Sequence, residues 1–364
     1  AGQSTMDLGS SPYRNGFAMV ALALFCAFAL PASAQVPSAA LQKCRGDWLA
    51  NFDVGMESFG GTGADADIAI EAALADAAAF YSGAGFYAPV LQCFDDPESR
   101  ETRYAMHYAT GMGEDLGDYE PTRCGSGSAA ARLNILEIPK HYGLMISGAT
   151  ANAAQIGTPP HELFHGVQSS YDMFSMCPKD WVWEGLAEAL AYIWLQNYGP
   201  RNQQFKINMA RGIRYIDYPL HMPYTPVTKD GEDNAHAYGT SLFWEYLTRE
   251  PKLAIGDETI ALGLSRRFDP ALLERFMDMR GNDPKTYQDF AGATAPPGDW
   301  ELRWLDKMLA DLFNARLKRG QVEGGVYVVY PKFAAWLVNS VKPDQLKKFF
   351  KSSCEPVTLS EEQP

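Results

Sequence analysis

The spacing of apolar side chains changes along the chain and predicts a helix followed by a strand in the N-terminal third. Residues 67–82 are rich in alanine, carry large apolar side chains at helical intervals, and stop at Ser82-Gly83. We therefore predict a helix over 67–82. Between 102 and 109, large apolar residues alternate with polar or small ones, which is the period of a strand. His107 is then expected on the polar face of that strand.

The segments that follow are predicted from shorter patterns. Residues 111–120 are rich in glycine and acidic side chains, which predicts a solvated loop; a calcium-binding loop is the alternative, although the acid spacing matches no EF-hand. Two apolar runs, 133–138 and 142–147, are separated by Pro139-Lys140-His141 and predict two further strands.

Helical periods prevail in the C-terminal half. They predict helices over 201–211, 236–249, 269–279, 299–318 and 343–350. Breaks are expected at Asp230-Gly231 and at 295–298, which reads Ala-Pro-Pro-Gly. No internal repeat is visible, so this half is expected to form a mostly helical lobe.

An apolar run in the first forty or so residues predicts export. Residues 17–30 are apolar but too few to span a bilayer comfortably, and Pro31-Ala32-Ser33-Ala34 follows them. This pattern is typical of a signal peptide over 1–34 that is cut after Ala34, with a membrane anchor as the alternative. No second run of transmembrane length occurs in the sequence. We therefore expect a periplasmic or extracellular protein with no membrane anchor after cleavage.

The charge and the cysteine content narrow the partners and the compartment. The net charge is -13 and the pI about 5.0, so neither nucleic acid nor an anionic membrane is expected as a partner. Export makes disulfides plausible, and five cysteines follow residue 34. Because five is odd, at least one thiol stays free or pairs between chains. Pairing of Cys124 with Cys177 and of Cys44 with Cys93 is a hypothesis only.

The candidate chemistry lies in the stretch His161-Glu162-Leu163-Phe164-His165. On a helix the two histidines stand one turn apart on one face and can bind one cation, while Glu162 borders that face. Thr158 is a suitable N-cap and Pro159 suits the first helical position, so we predict a helix from there to about residue 171. Two neutral imidazoles favour Zn²⁺, but an open catalytic site still needs a carboxylate from elsewhere.

A second predicted helix, over 181–196, supplies that carboxylate. It carries Glu184 and Glu188 one turn apart on one stripe. Glu184 is predicted to be the third zinc ligand, and Glu188 to accept the free ring N–H of a ligating histidine. The tryptophans of this region, Trp181, Trp183 and Trp194, are expected in the core.

These motifs resemble those of the gluzincin metallopeptidases, the group that contains thermolysin-like enzymes and the aminopeptidase N family. The resemblance rests on the His-Glu-x-x-His stretch, eighteen intervening residues, and Glu184 in a Glu-Gly-x-Ala-Glu setting, and it covers about residues 130–250. The metzincin pattern is not met, because Gln168 and Tyr171 stand where it needs glycine and histidine. The Gly-x-Met-Glu-Asn motif of aminopeptidase N relatives is also missing.

The resemblance implies an α+β, zincin-like metallopeptidase fold. It implies an N-terminal α/β lobe with a small sheet over 35–157, central zinc-binding helices over 158–200 and a mostly helical C-terminal lobe over 201–364. The strand predicted at 142–149 would be the edge strand that lines the substrate cleft in such enzymes. His236 or Tyr238 would donate to the oxyanion of the tetrahedral intermediate.

The implied function is that of an exported zinc peptidase. One Zn²⁺ per chain would be held by His161, His165 and Glu184, with no other cofactor, and Glu162 would be the general base that acts on water. The partner would be a peptide or protein substrate. A non-catalytic zinc-binding protein on the same scaffold is the alternative, and hydrolysis of something other than a peptide stays open. The sequence leaves the substrate, endo- or exo-cleavage, latency and the oligomeric state undetermined.

Overall fold

The computed structural model of this protein describes a set of separate stretches, all of which follow Ala39. They are 53–57, 64–89, 103–113, 115–120, 130–176, 178–201, 206–208, 238–249, 252–255, 258–261, 271–293, 299–317 and 322–340. The predicted signal peptide over 1–34, the cysteines, His236 and the helix predicted at 343–350 lie outside the described residues.

A four-stranded mixed sheet forms the N-terminal part. Its strands are β1 (Asp53–Glu57), β2 (Arg103–Ala109), β3 (Gly117–Glu120) and β4 (Ala130–Asn134), in the order β1-β2-β4-β3. β1, β2 and β4 run parallel, whereas β3 is antiparallel to β4 and lies at the end of the order. The strand predicted at 102–109 is confirmed as β2.

The loop predicted over 111–120 is wrong for its last four residues, which form β3. Pairing with β4 overrides the low strand propensity of this glycine- and acid-rich segment. Asp118 lies directly opposite Arg132 in the register, and the Arg132 Nε donates to Asp118 Oδ1 at 2.8 Å. A cross-strand ion pair therefore supports the register of the edge strand.

Two helices cover this part of the molecule: α1 (Ala64–Gly83), which confirms the helix predicted at 67–82, and α2 (Ile138–Ile146). The strand predicted at 142–147 is therefore wrong. The buried residues Ile138, Tyr142 and Met145 repeat at helical intervals, and Pro139 fits the first turn. The strand predicted at 133–138 is wrong beyond Asn134, where β4 ends.

The histidine-bearing helix α3 (Ala153–Gln168) begins five residues before the predicted N-cap, so the prediction of Thr158 as the cap is wrong. The Thr158 hydroxyl instead donates to the Ala154 carbonyl at 2.8 Å. Pro159 and Pro160 lie inside the helix, and Pro160 has no N–H to donate to the Ile156 carbonyl four residues before it. The Tyr142 hydroxyl of α2 donates to that carbonyl at 3.0 Å and so replaces the donor that Pro160 lacks.

The next helix, α4 (Asp180–Arg201), contains the segment predicted at 181–196 and packs along α3. Trp181 and Trp194 are buried, as predicted. The helix predicted at 201–211 is wrong, because Lys206–Asn208 forms strand β6. This strand pairs in parallel with β5 (Thr150–Asn152), immediately before α3.

The C-terminal part of the described chain is mainly helical. Its elements are α5 (Ser241–Arg249), the antiparallel pair β7 (Lys252–Ile255) and β8 (Glu258–Ala261), α6 (Ala271–Met277), α7 (Met279–Asn282), α8 (Pro284–Ala291), α9 (Trp300–Arg316) and α10 (Gly325–Ser340). The helices predicted at 236–249, 269–279 and 299–318 are confirmed within the described residues as α5, α6 and α9. The β7–β8 pair was not predicted. Among the described helices, none is both long and apolar enough to cross a membrane.

The bond from Tyr142 to the Ile156 carbonyl can be tested by stability. Tyr142→Phe should lower the free energy of unfolding by about 1–3 kcal/mol, because it leaves a buried carbonyl without its donor. In a Pro160→Ala background the restored N–H can serve the same carbonyl, so the hydroxyl should matter less. Urea unfolding of the wild type, the two single variants and the double variant measures the cost of Tyr142→Phe in each background. An equal cost in both backgrounds would contradict the compensation.

Candidate metal centre

The three predicted ligands converge where α3 lies against α4. His161 and His165 are buried on one face of α3, and Glu184 faces them from α4. The Glu184 Oε2 lies 3.1 Å from the His161 Nε2 and 3.5 Å from the His165 Nε2. The structure thus gathers two nitrogens and one carboxylate oxygen at one point.

The two distances from the Glu184 Oε2 to the histidine nitrogens fit a small tetrahedral cation. Ligand bonds of about 2.0–2.1 Å at tetrahedral angles place neighbouring ligand atoms about 3.3–3.4 Å apart, and zinc takes this His₂Glu donor set in open sites. The observed separations of 3.1 and 3.5 Å lie on either side of that value. Among the described residues, His161, His165 and Glu184 form the one group of this kind.

Gln168 fixes which nitrogen His165 offers. The Gln168 Nε2 donates to the Trp183 carbonyl at 2.9 Å, so its Oε1 is the atom that lies 2.7 Å from the His165 Nδ1. Because an amide oxygen only accepts, the His165 Nδ1 carries the proton and its Nε2 keeps a free lone pair towards Glu184. The sequence analysis missed this role and used Gln168 only to exclude the metzincin pattern. Its position one turn after His165, at i+3, is a signal that could have indicated it.

Glu188 stands beside the other histidine, where it was predicted. Its Oε2 lies 3.5 Å from the His161 Nδ1, while the His161 Nε2 faces Glu184. A carboxylate on this side favours the proton on Nδ1 and leaves Nε2 for a metal. Each histidine therefore has an acceptor on the nitrogen that points away from the convergence point.

Aromatic rings cover the buried side of the site. Trp183 stacks on the His165 ring at 4.6 Å between centroids and 11° between planes, and the Tyr119 ring lies 6.1 Å from it. Trp183 was predicted as a core residue, but the structure places it half-buried against a candidate ligand. This stack limits rotation of the His165 imidazole, which Gln168 also fixes through its hydrogen bond with Nδ1.

The charges of the site compensate one another. Burial alone would raise the pKa of Glu184, but the adjacent histidines lower it well below the ordinary value. Burial alone would lower the pKa of His161, yet its bonds to Glu184 and Glu188 raise it well above the usual range. Without a cation, the half-buried Glu184 carboxylate is thus neutralised by a proton on the His161 imidazole. A divalent cation would take over that role.

Glu162 is buried and lines a cavity of about 310 Å³ together with His161, Glu188 and Tyr238. Burial raises the pKa of Glu162 to about 7, and Glu184 and Asp118 add to the effect while the two histidines oppose it. A carboxylate with this pKa can both take and return a proton near neutral pH. The structure therefore places a buried carboxylate that can exchange a proton near neutral pH at the cavity beside the candidate ligands.

Of the two candidates for the oxyanion donor, only Tyr238 can be located. Its ring lies 6.0 Å from that of His161 and lines the same cavity, although 41% of the residue is exposed. Burial and the carboxylates of Glu184, Glu162 and Glu188 raise its pKa, so its hydroxyl keeps its proton. His236 lies outside the described residues and stays a prediction.

The edge strand beside the site is β3, not the segment predicted at 142–149. That segment is mostly helical, because its apolar residues face the core at helical intervals. β3 packs against α3, and the cavity wall on this side is formed by Asp115, Leu116 and Gly117. The segment predicted as a solvated loop thus provides the strand that borders the site.

Comparison with protein-family models, with curated proteins and with solved structures finds no match for this chain.

The orienting roles of Gln168 and Glu188 can be tested by metal titration. Gln168→Met and Glu188→Ala should each weaken zinc binding by about 10- to 100-fold without abolishing it, because each removes an acceptor from the far nitrogen of a histidine. Competition with a chromophoric chelator measures the affinities, and circular dichroism checks the fold. Complete loss of binding in a folded variant would make that residue a ligand, and unchanged affinity would remove its orienting role.

Proposed function

We propose that this protein is a zinc-dependent peptidase of the gluzincin type, and that it acts after export. The observation that supports this best is the convergence of the His161 Nε2, the His165 Nε2 and the Glu184 Oε2 within hydrogen-bonding range, beside a buried glutamate at a cavity. A structural cation site needs no such base and no such cavity.

His161, His165 and Glu184 would hold the zinc, and their buried position excludes bulk water from that side. Bound zinc supplies a Lewis acid that polarises a carbonyl group and lowers the pKa of a water towards about 7. Every other requirement of hydrolysis has to be met by side chains of the chain itself.

Glu162 is the residue for proton transfer. It accepts a proton from the attacking water as the water oxygen bonds to the carbonyl carbon, and it returns that proton to the leaving amine as the C–N bond breaks. Tyr238 keeps its phenolic proton and donates a hydrogen bond to the carbonyl oxygen as negative charge develops there. The oxygen of water ends on the carbonyl carbon and its proton ends on the leaving amine, so the hydrolysis needs no other reactant.

The sheet edge favours a peptide as the substrate. β3 pairs with β4 on one side and ends the strand order, so its other edge has no strand partner among the described residues. Leu116 and Gly117, at the start of this edge, line the cavity with Glu162. An extended peptide that added to the edge would bring its backbone carbonyls past the base.

Zinc content tests the metal site. Protein purified without chelator should contain close to one zinc per chain, and His165→Ala should lower the content to near zero because it removes a ligand. Atomic absorption gives the stoichiometry. A folded wild-type protein that binds no transition metal would contradict the proposed function.

Replacement of the base separates the enzyme from a non-catalytic zinc-binding protein. Glu162→Gln keeps the size of the side chain but cannot accept a proton, so it should retain zinc and thermal stability and lose at least ~100-fold in peptide hydrolysis. Product mapping on a peptide library measures the activity.

Tyr238→Phe, at matched zinc content, should lower kcat by ~100-fold with little change in stability.

Two results would overturn the assignment. If Glu162→Gln is as active as the wild type on every peptide cleaved, the chemistry occurs elsewhere. If the wild type binds zinc fully and cleaves nothing, the non-catalytic alternative replaces the enzyme.

A further inference from the structure

We propose that Gly117 is a positioning residue for Glu162: the bare backbone of β3 at this position is the surface against which the Glu162 carboxylate is held in place. The inference rests on the proposed function for its catalytic consequence. The contact itself can be tested without any activity.

The contact is direct and close. A Cβ atom at position 117 would lie 2.6 Å from the Glu162 Oε1 and 3.0 Å from the Glu162 Cδ. It would also lie 2.7 Å from the Cγ2 of Thr158, on the same helix as Glu162. Carbon atoms attract best at about 3.5–4.0 Å, so any side chain other than hydrogen must displace one of these groups.

Backbone conformation does not explain the glycine. Four described glycines adopt a left-handed conformation: Gly85, Gly111, Gly113 and Gly148. Gly117 is not among them, and it pairs with Leu133 in the regular register of β3 and β4. Other residues adopt this backbone readily, so the space taken by Glu162 is what excludes a side chain here.

The strand side of the contact is fixed in place. The Asn134 N–H donates to the Leu116 carbonyl at 2.9 Å, and the Asn134 Nδ2 donates to the Asp115 carbonyl at 2.9 Å. On the other side of Gly117, Asp118 is bound to Arg132. The backbone at 117 therefore cannot move away easily to admit a methyl group.

The helix side is fixed as well. The Thr158 hydroxyl is committed to the Ala154 carbonyl at 2.8 Å, which sets the direction of its methyl group. The Glu162 side chain is buried between α3 and β3, so it must move if position 117 gains a methyl group. Its carboxylate would shift relative to His161 and to the cavity. A misplacement of about 1 Å at a reacting group can cost about 100-fold in rate.

The first test is a thermal stability cycle. Gly117→Ala should lower the Tm by about 2 °C or more, whereas in a Glu162→Ala background the same change should cost clearly less, because two of the three close contacts are gone. Thr158→Ser, which removes the third contacting atom, should reduce the cost further. If Gly117→Ala alone does not fold but the Gly117→Ala/Glu162→Ala protein does, the contact is also supported.

Gly157→Ala is the matched control. It adds the same methyl group one residue from Thr158, where nothing outside its chain neighbours and the backbone of its own helix lies within 4 Å of the new Cβ. It should keep the zinc content and the activity of the wild type, and its Tm should be equal or higher because alanine favours a helix over glycine. A loss in this variant equal to that in Gly117→Ala would show a general sensitivity of the region and overturn the inference.

The second test is kinetic, at full zinc occupancy. Gly117→Ala should lower kcat by about 10- to 100-fold with KM within about threefold, because the new methyl group meets Glu162 and Thr158 and touches none of the candidate zinc ligands. Adding Thr158→Ser should restore part of kcat. A Tm loss that is equal in both backgrounds, an unchanged kcat, or a loss of zinc would each overturn the inference. If the wild type cleaves no peptide, the proposed function fails, and the stability cycle alone decides whether Gly117 holds Glu162.

Discussion

The approach of one carboxylate oxygen to two imidazoles sets the geometry of the whole site. The Glu184 Oε2 reaches both Nε2 atoms only if α3 and α4 keep a fixed register along each other. Gln168 supplies that register, because its amide donates to the Trp183 carbonyl of α4 while its oxygen faces His165 of its own helix. The same side chain thus aligns the helices and selects the histidine tautomer.

A second constraint comes from the proline pair that precedes the histidines. Pro160 has no N–H to donate to the Ile156 carbonyl, and the Tyr142 hydroxyl of α2 donates to that carbonyl instead, at 3.0 Å. The Tyr81 hydroxyl of α1 adds a hydrogen bond to the carbonyl of Pro160, also at 3.0 Å. Each tyrosine is fully buried. These two helices are therefore tied to the histidine-bearing helix by hydrogen bonds as well as by packing.

These observations explain which parts of the structure could be predicted from sequence. The convergence of His161, His165 and Glu184 could be, since helical spacing puts the two histidines on one face of a long helix and Glu184 lies on a second long helix. The run 142–147 could not, because a short apolar run fits either a strand or a helix until its neighbours are known. Gly117–Glu120 has poor strand propensity, and pairing with β4 decides its structure. Gln168 stands at i+3 from His165, which is a local signal, but its bond to the Trp183 carbonyl depends on how the next helix packs and could not be predicted.

The site has a closed side and an open side, and this asymmetry determines where chemistry can occur. Behind His165, Gln168 is completely buried and Trp183 covers the ring. In front of His161, Glu188 and Tyr238 remain partly exposed around the cavity, and β3 forms the opposite wall. Glu162 is the buried acid that borders this open side. The cavity is therefore lined by His161 and Glu162 but not by His165, whose ring is closed off by Gln168 and Trp183.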